Sequence, residues 1–250
     1  MTDLPLQVTA FLILFARLGA VLMLLPVFSD DAVPGRIRLL TAFGLSLALW
    51  GLMSSVVLPA ARDGSALAGI IAVELCVGLA LGMIVRLMFQ AAVMAASIAS
   101  TQMGLSSAII FDPALGGQAP VLAKMVVLAA TLVCLGLGLH HLWIAAMIRS
   151  YDIFPVGAVP NLGDFASLAV TTIGRAMALA VSLSAPLLVY GIVFNVALGF
   201  SARLAPTIQV FFIAQPLNIL LGTALFAVVV GAMITAFASA MSDWMQSGWA

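Results

Sequence analysis

Apolar residues run along this chain in long stretches, interrupted only by short clusters of proline, glycine and charge. A bilayer crossing needs ~20 mostly apolar residues. Six segments meet that length, at about 8–28, 39–58, 66–90, 121–148, 167–199 and 208–240. The connectors Ser29–Arg38, Pro59–Ser65, Gly104–Pro120, Ser150–Asp164 and Phe200–Pro206 are all too short to be soluble domains. The pattern predicts an all-α polytopic membrane protein of helical hairpins, organised as a single membrane-associated domain over residues 1–250. Segments 167–199 and 208–240 overshoot one crossing and contain Pro186 and Pro216. Proline removes a backbone donor and clashes with the preceding turn, so kinked or broken helices are predicted there. In lipid the freed backbone groups must be met by neighbouring protein or by water in a cavity.

Composition sharpens the class. The 250 residues are 64% hydrophobic and 7% charged, against about 25% charged in an ordinary soluble domain. Nine basic and nine acidic residues are spread thinly. No basic block is present to hold nucleic acid, which excludes that partner. The first segment lacks a positive leader and exceeds the ~7–15 residues of a signal-peptide core, so it is expected as a retained helix. Cys76 and Cys134 lie inside apolar runs and are expected as buried small hydrophobes. His140 and His141 are the two histidines, and neighbours on a helix point ~100° apart. They offer no shared metal site. With no nucleophile motif and no phosphate-binding glycine loop, neither an enzyme nor a cofactor is expected.

The third segment carries more than hydropathy. Glu74, Gly78, Gly82, Arg86 and Gln90 recur every fourth residue, and Ala92, Ala96, Ser100, Gly104 and Ala108 continue that spacing. Small residues four apart let another helix approach closely, either within this chain or on another subunit. Arg17, Glu74, Arg86 and Arg175 fall in or near apolar segments, where an ionised side chain costs ~2.5–3.5 kcal/mol on insertion scales. Glu74 and Arg86 stand ~18 Å apart along a helix, so each must find its partner on another helix, on another subunit, or in water. Beyond this helix comes Gly104–Pro120, which contains the consecutive Ile109, Ile110 and Phe111, then Asp112-Pro113 and Gly116-Gly117. Connectors are usually polar because they meet water. An apolar one bounded by glycine and proline is expected to insert into a core or a pore.

At this point the chain resembles a known family. The stretch Arg203–Asn218, with Pro206, Gln209, Phe211 and Pro216 within it, is similar to the C-terminal signature of the FliR family of type III secretion export-gate subunits, called SctT in injectisomes. The Arg17 helix ending in Leu24-Leu-Pro-Val-Phe28, the connector Val33–Arg38, the Glu74…Gly78…Gly82 helix, Gln102–Ser106, Asp112-Pro113 and Ala185-Pro186 fit in the same order. Pro206-Thr-Ile-Gln209, Ala214-Gln215 and Asn218 depart from the usual signature.

The resemblance implies a core subunit of the flagellar export gate in the bacterial inner membrane at the basal body, through which unfolded substrates pass. It implies FliP-like and FliQ-like partners, FlhB-like and FlhA-like components, and contact with lipid. It further implies a plug loop over about Leu105–Gln118, comprising Leu105, Ile109, Ile110, Phe111, Asp112, Pro113, Gly116 and Gly117. A competing reading is a small-solute transporter, which broken helices and a buried Glu74 would suit. The two halves of the sequence show no repeat to support it.

Overall fold

The computed structural model describes residues 4–26, 28, 33–62, 66–105, 121–204 and 210–247, the first three of the last stretch by backbone only. Among the described residues every regular element is helical: α1 (Leu4–Leu24), α2 (Gly35–Ala61), α3 (Leu67–Gln102), α4 (Val121–Gly136), α5 (Leu139–Ile153), α6 (Leu162–Leu204) and α7 (Val210–Gln246). Five of these are long and apolar enough to cross a membrane, and α4 with α5 makes a sixth if the bent pair counts as one span. The polytopic all-α expectation is thus met. At 1.5 Å per residue, the 43 residues of α6 extend ~65 Å, about twice the ~30 Å of a hydrocarbon core.

Helix boundaries follow local chemistry. α1 stops at Leu24, two residues before Pro26; proline disfavours helical conformation in the residue before it. α2 starts directly after Pro34, so Arg36 and Arg38 lie in its first turn and not in a connector. α3 runs on to Gln102 as one helix, which places Glu74 to Gln90 and Ala92 to Ser100 on one rod.

The sharp break falls away from the prolines. Pro186 and Pro216 both lie inside continuous helices. The helical path is instead interrupted between α4 and α5, where the hydropathy pattern indicates one segment. Gly138 turns the chain there with φ of +76°, a conformation that costs glycine little and other residues more.

The chain forms two compact units, interleaved in sequence. One comprises Met1–Met88, Gly138–Ile173 and Met245–Ala250; the other comprises Phe89–Leu137 and Gly174–Trp244. In the first, α1 packs on α2 through Phe11, whose ring centroid lies 5.2 Å from Phe43 and 5.9 Å from Trp50. Ile13, Leu14 and Leu18 are buried beside them. In the second, Ala99, Met103 and Leu187 form a buried cluster with Leu105, Leu122, Leu225 and Phe226 packed against it. Outward faces are strongly apolar, with Leu40, Leu47, Val189, Val193, Leu220 and Val228 exposed. Cys134 is buried as expected, whereas Cys76 is exposed; it shares the outward face of α3 with Leu75 and Leu79.

Candidate functional site

Two polar constructions stand out against this apolar background, one in each unit. In the first unit, Arg17 of α1 and Glu74 of α3 meet as a fully buried pair. The guanidinium donates from Nε to Oε2 at 2.6 Å and from Nη2 to Oε1 at 2.9 Å, the two-pronged geometry that makes arginine–carboxylate pairs strong. Nη2 also donates to the Phe154 carbonyl at 2.9 Å, and Nη1 to the Ser150 carbonyl at 3.3 Å. These carbonyls close the C-terminal end of α5, where helices leave acceptors unmet and favour positive charge. The Tyr151 ring lies 3.9 Å from the Arg17 Cζ. Glu74 Oε1 accepts a further bond from the Gly157 amide at 3.0 Å. One ion pair therefore ties together α1, α3, the end of α5 and the turn that follows.

The pair is made possible by two glycines one and two turns further along α3. A Cβ on Gly78 would lie 2.5 Å from the Arg17 carbonyl oxygen and 2.7 Å from the Ala20 Cβ. A Cβ on Gly82 would lie 2.8 Å from the Leu24 Cβ and 2.9 Å from the Val21 oxygen. Both helices would have to move apart. Arg86 and Gln90 do not join this interface; each is exposed on this chain, which leaves another subunit or water to meet them. Spacing of four residues drifts ~40° per step on a helix, so by Arg86 the stripe has rotated ~120° from Glu74. Arg175 is likewise exposed.

In the second unit the C-terminal end of α3 is held by a polar clasp. Gly104 adopts φ of +76°, its amide donates to the Thr101 carbonyl and that of Leu105 to Ser100. This is the Schellman arrangement, which satisfies two of the carbonyls a helix end leaves open. Side chains of α7 take the next ones. Asn218 Nδ2 donates to the Gln102 carbonyl at 3.3 Å, and Gln215 Nε2 to the Gly104 carbonyl at 3.1 Å. The Tyr190 hydroxyl of α6 donates to Asn218 Oδ1 at 2.8 Å, which fixes the amide so that its nitrogen faces α3. Gly191 leaves room for the Gln102 side chain, and a Cβ on Gly222 would lie 2.8 Å from Met103 Cγ. Replacing Asn218 by leucine should strand the Gln102 carbonyl and cost about 1–3 kcal/mol, while the Tyr190 hydroxyl keeps the backbone carbonyl of residue 218, 3.0 Å away. The measurement is the midpoint of thermal unfolding in detergent; Tyr190→Phe should cost less, since Asn218 keeps its bond to α3.

Of the suggested plug residues, only Leu105 falls within the described residues, half-buried against the Ala99–Met103–Leu187 cluster. Ile109, Ile110, Phe111, Asp112, Pro113, Gly116 and Gly117 lie outside them. In the C-terminal signature, Pro206 and Gln209 also lie outside. Phe211 is placed by backbone in α7, and Arg203 and Pro216 are exposed. The sequence reading missed Gln215, Asn218 and Tyr190 as binding groups. Gln215 and Asn218 sit three residues apart on α7, a one-face spacing that could have flagged them. Ser150, Phe154 and Gly157 act mainly through backbone atoms and leave no side-chain signal. Among the described residues no three His, Cys, Asp or Glu side chains gather to hold a metal ion. The His140 and His141 rings lie 4.1 Å apart, closer than simple helical splay implies.

The chain is similar to known proteins along nearly its whole length. The family described as bacterial export proteins, family 1, matches residues 8–244. The flagellar biosynthetic protein FliR of Caulobacter vibrioides is 37% identical over 221 residues, covering 88% of both chains. The FliR of Bacillus subtilis is 32% identical over 84% of this chain and 82% of its own. The Yop proteins translocation protein T of Yersinia pestis is 24% identical over 92% of this chain and 89% of its own. The chain therefore belongs to the bacterial export proteins of family 1, the FliR/SctT family of the type III export apparatus.

Proposed function

We propose that this chain is a core subunit of a protein export gate in the bacterial inner membrane at the flagellar basal body. In this reading it contributes part of the wall of a pore for unfolded flagellar substrates and performs no chemistry of its own. Its partners are FliP-like and FliQ-like subunits, with FlhB-like and FlhA-like components beside them. The observation that carries the reading is the clasp on α3. Gln215 and Asn218, which lie in the stretch that resembles the family signature but depart from its usual residues, hold the helix end from which the chain enters the apolar stretch 105–118.

Physical chemistry supports that division of labour. A rigid, fully hydrogen-bonded helix end gives the following segment a fixed point of departure. Apolar side chains such as Ile109, Ile110 and Phe111 suit a constriction that excludes water and ions by dewetting. Gly116 and Gly117 supply the conformational freedom that displacement by a substrate requires. The apolar outer faces of α2, α6 and α7 suit burial against lipid and other subunits.

Gentle extraction of a C-terminally tagged chain, with co-purifying chains identified by mass spectrometry, tests the assembly. FliP-like and FliQ-like subunits in one large particle are expected, whereas a partnerless chain that moves a small solute into liposomes overturns the reading. Deleting Ile109–Pro113 in cells that assemble the complex should raise ion and small-solute leakage. Unchanged permeability with assembly intact removes the plug from the proposal.

A further inference from the structure

Within the first unit, α3, α5, the start of α6 and the end of α7 enclose a cleft of about 410 Å³. Its walls are mostly apolar, drawn from Leu81, Leu142, Ala146, Ile153, Leu168 and Met245; Gln246 adds an amide, and the one charged side chain is Arg149. No carboxylate lines it. Ser150 also reaches the wall, but its hydroxyl donates to the Met147 carbonyl at 2.6 Å. Arg149 is exposed and, among the described residues, makes no ion pair or hydrogen bond. By contrast Arg17 of α1, which reaches the same end of α5, has its donors met by Glu74, Ser150 and Phe154.

We propose that this cleft binds one anionic phospholipid, with an acyl chain along the apolar walls and the phosphate on the Arg149 guanidinium. The five donors of a guanidinium match phosphate oxygens in two-pronged fashion. An arginine at the rim of an apolar cleft between membrane helices gives one end to the head group and the other to the chain. Size separates this occupant from a helix of another protein. At ~10 Å diameter and 5.4 Å per turn, a helix would place only about one turn in 410 Å³, whereas an acyl chain is narrow enough to lie along the cleft. The volume falls within the ~300–1,000 Å³ of ordinary small-molecule sites. This inference is independent of the plug, since every residue in it belongs to the first unit.

The test is native mass spectrometry on the full-length chain in the complex with which it is extracted. Mixed micelles carry either phosphatidylglycerol or phosphatidylcholine as probe. The wild type should retain one phosphatidylglycerol in preference to phosphatidylcholine. Arg149→Gln should weaken phosphatidylglycerol retention roughly tenfold and leave phosphatidylcholine unchanged. Ala146→Trp, which fills the cleft, should abolish retention of both; if that variant does not fold, the exposed Arg149→Gln decides alone. Equal retention of the two lipids by the wild type, or full retention by Arg149→Gln, overturns the proposal. So does an Ala146→Trp complex that loses a protein subunit while keeping its lipid, which would give the cleft to a protein helix.

Discussion

Replacing Glu74 with alanine should cost about 3–5 kcal/mol, the largest single-residue effect expected in the first unit. The substitution leaves the Arg17 guanidinium buried, at 1% exposure, with carbonyl oxygens but no counter-charge, and it leaves the Gly157 amide without its acceptor. At ~2–4 °C per kcal/mol for a chain of this size, the loss corresponds to roughly 6–20 °C in the unfolding midpoint. The readout is the temperature at which half the detergent-solubilised protein leaves the monodisperse chromatographic peak. Arg17→Met alone should also destabilise, because Glu74 then keeps only the Gly157 amide. The double variant Arg17→Met with Glu74→Leu should recover much of the loss, since apolar replacement of a whole buried pair is often neutral. A double variant that is as unstable as the sum of the singles would show that the carbonyls of Ser150 and Phe154, not the charge pair, are what the arginine serves.

The second large effect is expected at Gly78, where leucine should separate α1 from α3. The first added atom already meets backbone, 2.5 Å from the Arg17 oxygen, and backbone of a helix cannot rotate aside as a side chain can. Gly78→Ala should cost about 1–3 kcal/mol as an overpacked contact. Gly78→Leu should exceed it and break the Arg17–Glu74 pair one turn away. Gly82→Ala should behave similarly, though part of its clash is with the Leu24 side chain. The contrast lies in Gly69 and Gly231, which have nothing within 4 Å of an added Cβ. Alanine at either should raise the isolated chain's stability by about 0.5–1 kcal/mol through helix propensity alone. If Gly78→Ala matched Gly69→Ala in an unfolding series, the close approach of α1 and α3 would not hold in solution.

These two sites also mark where sequence and structure part company. Glycines four residues apart announce close helix packing in any apolar segment, so the face at Gly78 and Gly82 was legible from spacing. The partner was not, because Arg17 and Glu74 are 57 residues apart and no local pattern relates them. The same stripe leaves that face by Arg86 and Gln90, since a repeat of four is not the helix repeat of 3.6 and its members drift around the rod. Pro186 and Pro216 predict kinks or breaks, and of these the breaks do not occur, since the helices run through both. Gly138, with no hydropathy dip to reveal it, makes the turn.

By itself the sequence determined the class: long apolar runs with so few charges admit only a helical membrane protein, because lipid offers backbone groups no other partner. It also determined the family, through an ordered set of short motifs spread over most of the chain. Tertiary structure alone decided how the polar groups are met. Arg17 is answered by a carboxylate and by the carbonyls at the end of α5, and the end of α3 by two amide side chains of α7. Such partners are chosen by proximity after the helices have packed. Main-chain acceptors are the same at every position, so no residue letter records which of them will be used.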